Sequence, residues 1–252
     1  AHRARHVPAG ALVALLVVVV AIDEFRVSNG FIRTLDFAQW SAADANIRAV
    51  LEREEGSTEP YRLLSFAQRG QDVHPALHGI ELAGGHHPND LSRYRELIGM
   101  VGSGLPENLL DNDIRRLLNV RYVLWPDYEF GQSISGMPVV SSTALQSGAP
   151  YETMLADAGL PRARLVGGAS VKSDAEAVPY MLSDAFDPVR EVVLSEPSPI
   201  DLDGAPATGT VTWLSRTPNE LSFLVSTDRP ALLVVADNWF PAWRATVDGP
   251  DA

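Results

Sequence analysis

DNDIRRLLNVRYVLWP (Asp111–Pro126) changes its period partway along. Ile114, Leu117 and Leu118 form one apolar stripe of a helix, and Asp111 stands where a cap is needed. From Val120 to Trp125 the residues VRYVLW are β-branched, apolar and aromatic, and Pro126-Asp127 closes the run, which predicts a strand. A helix that feeds directly into a strand predicts an α/β layer in the first half of the chain.

Working outward, Tyr61–Phe66 (YRLLSF) reads as a further strand. Upstream, Ser41 is placed to cap a helix, with Asp44 three residues on, Ile47, Val50 and Leu51 on one face, and Gly56 as its end. Downstream, Ala163–Val171 is a strand candidate, and Ser173-x-x-Glu176 is a capping box compromised by Pro179. Val192–Leu194 is short and apolar, and Glu196–Pro206 (EPSPIDLDGAP) reads as a proline-rich linker. From Gly209 the pattern alternates, predicting four antiparallel strands around Val211–Trp213, Leu221–Val225, Ala231–Ala236 and Trp243–Val247. Asp248-Gly249 suits a hairpin turn, and the expectation is that a returning strand is missing after it. The predicted class is α+β: a transmembrane helix, then an α/β layer, then a sandwich-like antiparallel sheet. The predicted parts are 1–24 as a membrane segment with a basic flank, 25–195 as a mixed α/β region, 196–208 as a linker and 209–252 as the β region.

The chain has 252 residues, 46% of them apolar and 21% charged, which suits a folded protein with its own core. Its net charge of -12 excludes a nucleic-acid partner, since no basic surface is available to release counterions. Lys172 is the only lysine, and the arginine-rich remainder of the basic residues is read as genome composition. With no cysteine, disulfides, thiolate metal sites and a cysteine nucleophile are all excluded.

Val7–Ile22 (VPAGALVALLVVVVAI) carries no charge and follows the basic AHRARH. As a helix it would span roughly 24 Å at about 1.5 Å per residue, slightly less than a hydrocarbon core. The expectation is a membrane span, with Arg3 and Arg5 inside and the following domain outside by the positive-inside rule. A signal peptide ending near Val19-Val20-Ala21 and a buried core helix are the competing readings. The expected localisation is the cell membrane with the folded domain on its extracytoplasmic side, and the lipid bilayer is an expected partner.

Four histidines, His74, His78, His86 and His87, fall near Asp72 and Asp90. Pro75 and Gly79 disfavour the regular helix that would align His74 with His78, so loop histidines are favoured over zinc ligands. Asp201-Leu202-Asp203 has the spacing of a pair that shares a divalent cation, but it sits in the linker and reads as solvated. No serine-nucleophile elbow, phosphate-binding loop or dinucleotide fingerprint is present. No cofactor or metal site is therefore expected, and a carboxylate pair for glycoside hydrolysis stays open among the 32 acids. The candidate binding residues are Asp237, Asn238, Trp239 and Trp243 in DNWFPAW, where rings could stack on a sugar and polar groups could take its hydroxyls. The competing reading is a corner whose aromatics fill the core.

Ala236–Gly249 (ADNWFPAWRATVDG) resembles the Asp-Asn-aromatic-aromatic-Pro-Gly-Trp-x-Ala-x-Val-Asp-Gly signature of YfhO-type bacterial membrane proteins, with Ala242 in place of the glycine. Leu117–Leu124, Leu160–Ala163, Phe186–Pro188 and Gly84–Tyr94 are similar to further stretches of that family in the same order. The resemblance implies a polytopic protein of the kind that transfers sugars from polyprenyl-phosphate carriers to cell-surface polymers. Its catalytic carboxylate would lie in an early outer loop, so none is carried onto this chain. The implied role is structural or acceptor recognition, with a lipid-linked sugar or cell-surface glycopolymer as partner. The hydrophobic segment would then be the last helix of a bundle. A membrane-anchored carbohydrate-binding module without catalysis is the alternative.

Overall fold

The structure, a computed structural model, describes residues 8–31, 34–67, 72–85, 91–100, 105–126, 137–144, 150–155 and 159–248. The chain divides into two compact units, 1–42 and 43–252.

The first unit holds α1 (Ala9–Phe31) and the short α2 (Phe37–Trp40), which Asp36 caps by accepting from the amides of Ala38 and Gln39. No residue of α1 is buried, and leucines and valines cover its N-terminal half on all sides. The helix runs past the expected end of the membrane segment at residue 24 and continues to Phe31. The membrane-spanning expectation is corrected here: among the described residues no helix is long and apolar enough to cross a membrane. The reason lies in Asp23, Glu24 and Arg26, which end the apolar part of α1 at Ile22 and leave about 21 Å against a hydrocarbon core of about 30 Å.

The second unit is mixed α/β. Its main sheet contains β1 (Arg62–Ser65), β2 (Glu81–Leu82), β3 (Val120–Pro126), β4 (Val139–Ala144) and β5 (Pro150–Leu155), in the order β2-β1-β3-β5-β4. β1 runs parallel to β2 and β3, whereas β5 is antiparallel to both β3 and β4. Alternation then assigns the faces. Val123 and Trp125 pack with Leu64 and Phe66 on one side, under α4 (Ser92–Ile98) and α5 (Asn112–Leu117). Tyr122 and Leu124 pack with Leu63 on the other, under Ile47 and Val50 of α3 (Ala45–Arg53). Opposite Arg62 and Leu63 the register skips Arg121, and this bulge turns Val120 onto the face of Val123.

The helix predicted from Asp111 forms as α5, with the Asp111 carboxylate accepting from the amides of Asp113 and Ile114. The predicted switch to strand is made by Asn119 at φ 59, a left-handed residue directly after the Leu118 cap of the helix. Its side chain is buried and donates to the Leu160 carbonyl at 2.9 Å. In the upstream helix, Asp44 rather than Ser41 is the cap, accepting from the Ile47 amide at 2.9 Å.

The strand predicted over Ala163–Val171 divides at Gly167 into β6 (Ala163–Val166) and β7 (Gly168–Val171). A Cβ on Gly167 would meet the Ala205 carbonyl oxygen at 1.9 Å, and the Gly204 amide donates to the Gly167 carbonyl. The proline-rich segment is thus docked on β6–β7 at this point. β7 continues through α6 (Asp174–Met181) to the parallel β8 (Glu191–Leu194). The capping box at Ser173 and Glu176 is complete and α6 passes through Pro179, which removes one hydrogen bond in the last turn of the helix.

The C-terminal region departs from a four-stranded sheet. β9 (Gly209–Thr217) and β10 (Glu220–Thr227) form an antiparallel hairpin, while β11 (Leu232–Val235) leaves it to pair with β6. No strand forms over Trp243–Val247: the chain there turns, and the Trp243 amide donates to the Phe240 carbonyl at 2.9 Å. Alternation alone could not reveal this, because a strand also needs an edge to pair with. Gly249 lies outside the described residues.

Two stability outcomes follow. Asn119→Ala should cost about 1–3 kcal/mol for the lost buried hydrogen bond, with a further penalty for φ 59 that Asn119→Gly removes; chemical denaturation of both variants checks the split. The Tyr122 hydroxyl donates to Glu54 at 2.6 Å, and burial, then this carboxylate, raise its pKa above the ordinary tyrosine range. The folded chain therefore keeps this proton where the unfolded chain loses it. The stabilisation is present below about pH 10 and falls away above it. Tyr122→Phe should flatten that alkaline decline in a melting series.

Candidate functional site

Asp237 follows β11 and lies where three separated pieces of chain meet. Arg62, at the start of β1, donates Nη1 to the carbonyls of Leu118 (2.9 Å) and Ala236 (2.6 Å), and Nη2 to Asp237 at 3.1 Å. Arg162, just before β6, holds both carboxylate oxygens of Asp237, through Nε at 3.1 Å and Nη2 at 2.5 Å. Its Nη2 also reaches Glu81 of β2 at 2.8 Å. Glu81 in turn pairs with Arg216 from the β9–β10 hairpin.

These groups line a cleft of about 540 Å³, together with Asn238, Trp243 and the hairpin residues Thr217, Pro218 and Leu221. Arg162 is 4% exposed, and its remaining Nη1 has no hydrogen-bond partner. Arg216 is 35% exposed and is the guanidinium most open to solvent. Burial, then the neighbouring Arg162, pulls the pKa of Arg62 down to about 10, while Asp237 opposes the shift. Three cations and two anions thus share a partly desolvated space on a chain whose net charge is -12.

The four residues expected to bind have different positions. Asp237 is held by two arginines, and Asn238 and Trp243 line the cleft. Trp239 is 67% exposed and lies outside the cleft wall. The aromatic corner is therefore neither a plug for the core nor one continuous platform. Arg62, Glu81 and Arg216 escaped notice in the sequence because they are far apart in it and carry no motif, and Arg162 stood inside the Leu160–Ala163 stretch without an assigned role. The one available signal was charge at the ends of predicted strands.

The other candidates have simpler fates. Among the described residues no group of three metal-ligating side chains comes together, and His86, His87 and Asp90 lie outside those residues. His74 and His78 stack edge to face, 5.4 Å between ring centres, on a 3-10 turn. The Asp72 carboxylate accepts from Ser65 and from the His74 amide. Asp203 accepts from the Ala205 amide and from Arg229.

Comparison of the chain with known protein families, curated proteins and solved structures finds no match. The reading of the cleft therefore rests on its own geometry.

Asp237→Ala should leave the buried Arg162 with only Glu81 as counter-charge and destabilise the fold by about 3 kcal/mol. Trp239→Ala should stay within about 0.5 kcal/mol of the parent, as an exposed site away from these contacts does. Denaturation midpoints of the two variants compare them directly.

Proposed function

We propose that residues 43–248 form an extracytoplasmic portion of a membrane protein resembling the YfhO-type glycosyltransferases, with acceptor recognition rather than catalysis as its role. The observation that carries this reading is convergence. Three of the stretches on which the resemblance rests meet in the fold. Arg162 grips Asp237, Asn119 bonds the Leu160 carbonyl, and Arg62 bonds the Leu118 and Ala236 carbonyls. Residues shared in order but scattered in space would give no such site.

α1 supports the membrane half of the proposal. A helical segment apolar on all sides, as Ala9–Ile22 is, suits cover by lipid or by other helices, and no residue of α1 is buried among the described residues. In this reading the Ala9–Ile22 part lies against lipid, and Asp23, Glu24 and Arg26 meet the polar boundary. The reading as a lipid-attached carbohydrate-binding module uses the same cleft, and Trp243 beside Asn238 is the observation that favours it.

The test uses the full chain. It should float with phospholipid vesicles, and Leu15→Asp with Val18→Asp should abolish flotation without changing the melting of the folded domain. Reconstituted in nanodiscs, it should bind purified cell-surface glycopolymer, and Trp243→Ala should weaken that binding roughly tenfold, the scale of one lost stacking contact. A chain that neither floats nor binds such polymers would overturn the proposal.

A further inference from the structure

We propose that the Arg62–Arg162–Arg216 cleft is selective for an acidic sugar, taking an oxyanion substituent, carboxylate or phosphate, on Arg216 while Trp243 and Asn238 hold the ring. This deepens the glycan-recognition reading and rests on it.

Charge balance points to an anion. Among the described residues Asp237 and Glu81 are the only acids lining the cleft, and both are already bound by guanidinium groups. Three arginines against two acids leave one positive charge over, on a chain that is otherwise strongly acidic. Composition does not place a cation there, and neither does the fold: Arg62 and Arg162 tie strands together, whereas Arg216 sits on an exposed hairpin and pairs with an acid that Arg162 already holds.

The arginines divide the task by exposure. Arg162 is enclosed, and its leftover Nη1 is shielded from solvent, so it acts through its field rather than by contact. Arg216 is open enough to turn its planar fork toward a ligand and form paired hydrogen bonds to an oxyanion. Its guanidinium carbon lies 5.9 Å from the centre of the Trp213 ring, which keeps the side chain near the cleft. Trp243 and Asn238 supply an apolar face and an amide within the same volume of about 540 Å³, large enough for one or two sugar rings.

The experiment titrates the full chain in nanodiscs, read by tryptophan fluorescence, with matched probes. One pair is a uronic-acid oligosaccharide and its carboxyl-reduced neutral form; the other is a hexose 1-phosphate and the free hexose; inorganic phosphate is the fifth probe. The acidic member of at least one pair should bind roughly tenfold more tightly, and the advantage should shrink as salt rises. Which pair shows it separates carboxylate from phosphate. Arg216→Gln should collapse the difference within the pair, and Arg216→Lys should retain part of it, with unchanged melting in both variants. Equal binding of acidic and neutral members overturns the charge inference while the glycan-recognition reading stands. Phosphate alone binding as tightly as the sugar phosphate overturns it in favour of a free-anion site. No binding of any sugar, with Trp243→Ala silent, removes the underlying reading itself.

Discussion

The Asp237 carboxylate, gripped on both oxygens by Arg162 and on one by Arg62, is the contact on which the second unit depends. A buried ion pair gives little stability on balance, because desolvating both charges offsets most of their attraction. What it gives here is position. Arg62 begins β1, Arg162 precedes β6 and Asp237 follows β11, so one carboxylate registers the main sheet against the β6–β11 pair. The remaining Arg62 hydrogens are spent on the carbonyls of Leu118 and Ala236, which tie the end of α5 to the same point.

That registration explains how a mixed collection of small sheets keeps one architecture. β3 can be buried on both faces because helices cover each side, and its burial needs Asn119 to turn the chain without a longer loop. The Asn119 amide group then holds Leu160, two residues before Arg162. Core, turn and ion pair are thus linked within a few residues. The hairpin of β9 and β10 is the exception, largely exposed and anchored toward the cleft through Arg216.

Legibility followed locality. The α5–β3 transition was readable because a helical stripe, a cap and a β-rich run all lie within Asp111–Pro126. The β9–β10 hairpin was readable for the same reason, since its two strands are joined by Pro218-Asn219. The pairing of β11 with β6 was not, because both strands look equally able to pair elsewhere and only long-range contacts choose between them. The tryptophan corner was half readable: the segment was singled out, but alternation wrongly made a strand of Trp243–Val247 and could not tell exposed Trp239 from cleft-lining Trp243. The arginines were silent because a single charge in a sequence does not announce which distant charge it will meet.

The same network decides what kind of work the cleft suits. Acid–base chemistry on a glycosidic bond needs two carboxyl groups free to exchange protons with the substrate, set about 5–9.5 Å apart. The acids present, Glu81 and Asp237, share one guanidinium, since both accept from Nη2 of Arg162, and Arg216 and Arg62 take further oxygens. A carboxylate so engaged would have to break the contact that registers the fold before it could take up a proton. The groups with freedom left are Asn238, Trp243 and the outer side of Arg216, an amide, a ring and a charge. On the proposed reading these groups serve recognition, while the two carboxylates serve the fold.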